Sequence, residues 1–166
     1  MNINNIILIG MPNSGKSTVG SYLAKALGRR FIDTDQLILE KAKKPLKDIV
    51  NFDGLDKFLS IQDEVINSLD AANSVIATGG SVIYGEASMS HLKAMGTVIF
   101  LDISYETVVS RLSPGRRFAR EEGKSLLDVY NERKPLYQKY ADITIDCSVR
   151  EAKDIAEDII KQLNLK

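Results

Sequence analysis

The sequence predicts an α/β protein built on a parallel sheet with helices on both faces. Three observations carry this. Short β-rich runs alternate with segments of helical periodicity along the 166 residues. The fourth of these runs, Thr97 to Leu101, is mostly apolar instead of alternating, as in a sheet covered on both faces. A glycine-rich turn separates the first strand from the first helix.

The elements follow in order. Ile6 to Ile9 is the first strand and ends at Gly10; helical sequence runs from about Lys16 to Leu27, with Gly28 as its stop. Arg30 to Ile32 is a second strand, followed by Asp33-Thr34-Asp35 and a polar helix to about Lys43, and Pro45 opens the next helix. After Gly54, residues Phe58, Ile61, Val65, Ile66 and Leu69 fall at helical spacing and define one buried face. Ser74 to Ala77 is a third strand leading into Thr78-Gly79-Gly80-Ser81; Met89 to Met95 is helical; Thr97 to Leu101 is a fourth strand.

Ser104 to Leu112 is again helical. Residues 113–124 break the periodicity, with Pro114, Gly115 and Gly123 among many charges, and read as a mobile lid. Leu126 to Tyr140 is helical with Pro135 as a kink or restart, Ile143 to Ile145 is the last strand, and Val149 to Leu163 is a closing amphipathic helix. With no repeat, low-complexity tract or linker in view, residues 1–166 read as a single domain.

Composition narrows the partners. Lysine plus arginine and aspartate plus glutamate both number 22, so no net positive field favours nucleic acid or an anionic membrane, and any anion must be bound locally. No apolar run reaches the roughly 18 residues of a membrane span. Cys147 is the single cysteine and has no internal disulfide partner, and the N-terminus runs into a strand without a charged leader, which predicts a cytoplasmic setting. Cys147 is expected to be packed at a strand end, and His91, the single histidine, to lie at the surface away from any metal. A monomer is expected.

The segment Gly10-Met11-Pro12-Asn13-Ser14-Gly15-Lys16-Ser17, followed by Thr18, satisfies the phosphate-loop pattern G-x-x-x-x-G-K-[ST] and sits between a strand and a helix, where its mechanism requires it. Glycines let the backbone curl so that successive N–H groups point at phosphate oxygens, and the helix adds the positive end of its dipole. Lys16 would reach the β- and γ-phosphates and Ser17 would place its hydroxyl on Mg2+. The plainer reading is a glycine turn that binds nothing. No Asn-Lys-x-Asp guanine-reading segment is present, so small-molecule and nucleotide kinases remain. Asp33 and Asp35 lie at the carboxyl end of a strand, in the crevice where open α/β sheets bind ligands; alternatively, these residues only cap the following helix.

On these features the chain resembles the shikimate kinase family over essentially its whole length. The phosphate loop, Asp33-Thr34-Asp35, the glycine turn Gly79-Gly80, an arginine-bearing lid, and Arg133 ahead of Pro135-Leu136-Tyr137 occur in the family's order. The resemblance implies a five-stranded parallel sheet of order 2-3-1-4-5, a lid that closes over ATP, and an acceptor-binding region at about residues 34–62. It implies that Asn13, Ser14, Gly15, Lys16, Ser17 and Thr18 hold ATP. Ser17 and Asp33 serve Mg2+, the latter through water, and Asp35 accepts a hydrogen bond from the acceptor hydroxyl. It further implies that Gly79, Gly80 and Arg133 bind the acceptor, Arg133 through its carboxylate, as a planar fork suits. Of the lid arginines Arg116, Arg117 and Arg120, Arg117 is assigned to ATP and to catalysis beside Lys16 and Asp35, although the lid lacks the family's Arg-Pro-Leu-Leu wording. The implied reaction is phosphorylation of shikimate to shikimate 3-phosphate, a step of chorismate and aromatic amino-acid biosynthesis.

Departures from the family pattern bear on the acceptor. A third glycine is replaced by Ser81. Where the family has phenylalanine, arginine, two variable residues and glutamate, the chain has Phe58-Leu59-Ser60-Ile61-Gln62. Both halves of a charged pair have become neutral, which avoids leaving one buried charge alone; the plainer reading is that Leu59 extends the apolar stripe. Other readings are a kinase of the same kind acting on a different small hydroxy acid or alcohol, a non-catalytic nucleotide-binding relative, or a nucleoside monophosphate kinase.

Overall fold

The computed structural model of the chain describes residues 5–111 and 123–165. Strands β1 (Asn5–Ile9), β2 (Arg30–Asp33), β3 (Ser74–Ala77), β4 (Gly96–Asp102) and β5 (Ile143–Asp146) form one five-stranded parallel sheet of order β2-β3-β1-β4-β5. The first strand in sequence, β1, is the middle one of the sheet. Ile7 of β1 lies opposite Ile76 of β3 and Val98 of β4, and every residue of β1 is buried. A strand hydrogen-bonded on both edges and covered on both faces has no wet side, which is why its sequence does not alternate.

Asn5 is the polar exception, and it is satisfied. Its amide donates to the carbonyls of Ala71 and Met95 at 2.8 and 3.0 Å and accepts from the Ser74 N–H at 2.9 Å, fastening the start of β1 to the chain entering both neighbouring strands.

The helices are α1 (Lys16–Leu27), α2 (Thr34–Ala42), α3 (Leu46–Asp48), α4 (Leu55–Asn67), α5 (Glu86–Met95), α6 (Tyr105–Arg111), α7 (Leu126–Tyr140) and α8 (Ala152–Gln162). Helix α1 packs on α8 and across β3, while α4 packs on α2 and α5. The main core surrounds the sheet. A second apolar cluster of Ile38, Ile49 and Phe58, flanked by Leu46, Val50 and Leu59, gives the segment from α2 to α4 a small core of its own.

Several expectations are corrected. The deepest line on α4 is Phe58, Gln62, Ile66, at i, i+4 and i+8; Ile61, Val65 and Leu69 are its half-buried flanks. Periodicity passed over Gln62 because it is polar. Between α3 and α4, Ile49–Asp53 forms a π-helical turn, a geometry that recurs at functional sites. Pro135 does not restart its helix: α7 runs continuously through it, and Pro135 and Asn131 both lie on its exposed side, where water can satisfy the carbonyl that the ring leaves unbonded. The last helix starts at Ala152 because Val149 stands at φ 51° in the left-handed region. His91 is half-buried, its Nε2 2.7 Å from the Leu69 carbonyl oxygen, rather than free on the surface. Cys147 is buried, as expected. Among the described residues no helix is long and apolar enough to cross a membrane.

Candidate active site

The loop between β1 and α1 turns through Asn13 at φ 65° and Gly15 at φ 98°, the left-handed steps from which anion-binding backbone concavities are built. Lys16 opens α1. Its ammonium is buried within the loop and donates to the carbonyls of Gly10 and Met11 at 2.7 and 2.8 Å and to Ser14 Oγ at 3.4 Å. A residue that sequence reasoning missed braces the loop from outside. Arg111, at the end of α6, donates from Nη1 to the Asn13 carbonyl at 2.9 Å, and Asn13 Nδ2 donates back to the Arg111 carbonyl at 3.2 Å. The two residues are 98 positions apart, so no local pattern announces the pair.

Asp33 ends β2 and uses its two oxygens differently. Oδ1 caps α2 by accepting the Asp35 N–H at 3.0 Å, and Oδ2 accepts from Ser17 Oγ at 3.3 Å. One carboxylate therefore both caps α2 and contacts the phosphate loop. The pair offers hydroxyl and carboxylate oxygens, the hard donors that Mg2+ takes together with phosphate and water.

The opposite wall is built at the end of β3. Thr78 Oγ1 donates to the Leu8 carbonyl at 2.8 Å and holds the start of the glycine turn against β1. Spacing along α7 places Arg133 and Tyr137 on one helical face. The Tyr137 hydroxyl donates to the Gly80 carbonyl at 2.5 Å while its ring stacks on Phe100 with centroids 5.0 Å apart. Burial pushes the Tyr137 phenol up to about 12, which keeps it a neutral donor. Arg133 is 1% exposed, its guanidinium 5.3 Å from the Tyr84 ring centre, and its Nε donates to Tyr84 Oη at 3.3 Å. Tyr84 in turn donates to Glu132 at 2.7 Å, and Glu132 pairs with Lys124 at 2.9 Å. The Lys124 ammonium and then the Tyr84 hydroxyl hold the Glu132 carboxyl below its ordinary range. Arg133 is thus no solvated surface arginine.

Two glycines allow this convergence. A Cβ on Gly79 would lie 2.7 Å from Asp35 Oδ1 and 3.1 Å from Gln62 Oε1; one on Gly80 would lie 2.7 Å from Pro12 Cδ and 3.0 Å from Arg133 Nη1. The turn is therefore the point where the phosphate loop, Asp35, Gln62 and Arg133 close on one another. All border one cavity of about 350 Å³, except that Gln62 lies just behind the turn. Asn13, Gly15, Lys16, Ser17 and Thr18 line one side; Asp35, Gly79, Gly80 and Arg133 line the other. Ser14 is buried beneath the loop and Asp33 sits behind Ser17. Arg116, Arg117 and Arg120 lie outside the described residues.

A family profile described as Shikimate kinase matches residues 12–164. The chain belongs to the shikimate kinase family. Two curated shikimate kinases, from Synechococcus sp. (strain RCC307) and Persephonella marina, are 38% and 35% identical to it; the alignments cover 96% and 97% of this chain and 84% and 99% of theirs. A solved structure of shikimate kinase from Acinetobacter baumannii in complex with shikimate superposes with a TM-score of 0.90 at 32% identity, covering 98% of this chain and 93% of that one. The shikimate kinase of Aquifex aeolicus gives 0.82 at 30% identity, over 96% of each chain. Family membership makes the protein a kinase, an ATP-using phosphotransferase with a hydroxyl acceptor.

Within the shikimate kinase frame, the departures from pattern take definite places. Ser81 Oγ donates to Gln62 Oε1 at 3.3 Å, both side chains buried, so the replaced glycine and the replaced glutamate now meet each other. Leu59, in the arginine position, packs with Ile38, Ile49 and Phe58 and borders a smaller cavity beside Lys124 and Glu132, not the main one.

Proposed function

We propose that this kinase transfers the γ-phosphate of ATP to a hydroxyl of shikimate, the step that yields shikimate 3-phosphate on the route to chorismate and the aromatic amino acids. The observation that carries the reading is the single cavity shared by the phosphate loop and the Asp35, Gly79, Gly80 and Arg133 wall, because phosphoryl transfer needs little from a protein beyond placing donor and acceptor in line and stabilising charge. Residues 13 to 18 cradle the polyphosphate, and Lys16 swings from the Gly10 and Met11 carbonyls to the β- and γ-oxygens. Asp35 orients the acceptor hydroxyl and accepts its hydrogen bond. Arg133, held by Tyr84, meets the acceptor carboxylate, and Gly79 and Gly80 let the acceptor approach the backbone. Ser17 and Asp33 hold Mg2+, which when bound offsets the negative charge of the phosphates. Arg117 of the lid completes the charge stabilisation. Residues 1–166 act as one kinase domain, monomeric and cytoplasmic, with ATP and a small acceptor as partners and no part for nucleic acid or membrane.

Shikimate-dependent release of ADP by the full chain tests the reading. The wild type should turn over; Lys16→Met should lose about 10²-fold or more of kcat/KM, the scale of a lost transition-state donor, and Asp35→Asn should fall similarly with ATP affinity kept. Uptake of Mg-ATP by calorimetry without turnover of shikimate would instead select a non-catalytic relative or a different acceptor.

A further inference from the structure

We infer that Lys47 supplies the second positive contact to the acceptor's carboxylate, in place of the arginine that the family pattern carries where this chain has Leu59. The inference rests on the reading of the acceptor as a carboxylate-bearing hydroxy acid. It starts from the charges around the cavity. Among the described residues that line it, the charged groups are Lys16, Asp35, Lys47 and Arg133. Lys16 is committed to the phosphate loop, where it already contacts three loop oxygens. Asp35 is an anion and repels a carboxylate. Arg133 and Lys47 remain to receive one, and they stand on different walls, α7 and α3.

The backbone under Lys47 is anchored. The amides of Asp48 and Ile49 donate to the Pro45 carbonyl at 3.0 and 3.2 Å. Ile49 is fully buried against Ile38 and Phe58, so the short helix cannot rotate without losing that core contact. Leu46, Lys47 and Val50 are consequently the residues this segment shows to the cavity. Two acids of this region are already taken, Asp53 by Lys44 and Glu64 by Lys41 at 3.0 Å. Lys47 makes no ion pair with a described residue and stays exposed, so a carboxylate entering the cavity is a partner it can take without breaking another contact.

The exchange is also chemically coherent. Leu59 has left the charged role for the small apolar cluster, and that same cluster positions Lys47 through Ile49. A lysine is a point charge on a flexible stem, so it supplies attraction with less orientation than an arginine fork. Orientation then falls mainly to Arg133, which is buried and held by Tyr84.

Steady-state kinetics of the full chain with Mg-ATP and shikimate test this. Lys47→Met should raise the shikimate KM about tenfold, the loss of one charge-assisted contact, with kcat within about twofold and the KM for ATP unchanged; Lys47→Arg should restore wild-type KM, and Lys47→Glu should be worse than Lys47→Met. Shikimate methyl ester separates charge from shape. The wild type should prefer the acid strongly, and Lys47→Met should lose about tenfold of that preference. A wild type that uses shikimate while Lys47→Met keeps the same KM and the same acid-over-ester preference overturns the assignment of Lys47 and leaves the kinase reading intact. A wild type that turns over with neither compound overturns the acceptor reading itself, and this inference with it.

Discussion

Gln62 illustrates how one residue can record a change of design. It is 1% exposed on α4, its Oε1 takes the Ser81 hydroxyl at 3.3 Å, and it faces the same Gly79 Cα as Asp35. A neutral amide is tolerated there because it adds no second negative charge next to Asp35. Gln62→Glu should therefore lower stability at neutral pH by about 3 kcal/mol, since an uncompensated buried charge is what makes broken ion pairs costly. Adding Leu59→Arg, three residues earlier on the same helix, should recover part of the loss. Urea unfolding of the single and double variants measures both, and a Gln62→Glu protein with an unshifted midpoint would show that the site is wetter than its burial implies. The sequence made the loss of the charged pair visible, but not that Gln62 had acquired Ser81 as its new partner: 19 positions separate them.

At the scale of elements, α7 carries Arg133 to the cavity wall opposite the phosphate loop, and its register depends on how it begins. Ser125 and Asp128 form a reciprocal capping box, each side chain accepting the other's N–H at 3.1 Å. The Asp128 carboxyl is held low chiefly by the Ser125 N–H, as a working cap should be. The box fixes the helix two turns before Arg133 and three before Tyr137, so it sets where both side chains meet the glycine turn. Ser125→Ala should cost about 1 kcal/mol of stability, read as a lower thermal midpoint, and should raise the shikimate KM more than the ATP KM. An equal effect on both would mean that the cap supports the fold without aiming Arg133. The elements themselves were legible from periodicity to within a residue or two. The exceptions were the start of α5 at Glu86, three residues before Met89, the 3-10 turn at Val82–Tyr84, the π-helical turn at Ile49–Asp53 and the late start of α8; at the last two, backbone geometry rather than side-chain polarity decides.

For the whole molecule, burial ties stability to alkaline pH. The Cys147 thiol and the Tyr137 phenol are both pushed up to about 12, each chiefly by burial. The folded chain keeps these protons where the unfolded chain, near the ordinary 9.0 and 10.0, has released them, so unfolding sheds protons and becomes easier as pH rises. Their contribution is complete below about pH 9 and is lost progressively towards 12. Between pH 9 and 10 the thiol accounts for about 1 kcal/mol. Urea midpoints across pH 8 to 10.5 should fall, and fall less steeply in Cys147→Ala; identical slopes would remove the thiol from the explanation. By itself the sequence determined the alternation of strands and helices, the phosphate loop and the family pattern around it, because each is written in local spacing and local backbone demands. The packing of distant segments settled that Arg133 is buried on Tyr84, that Arg111 braces Asn13, and that Lys47 rather than Leu59 borders the main cavity. Those contacts join residues distant in the chain, and their geometry exists only once the sheet has brought the strand ends together.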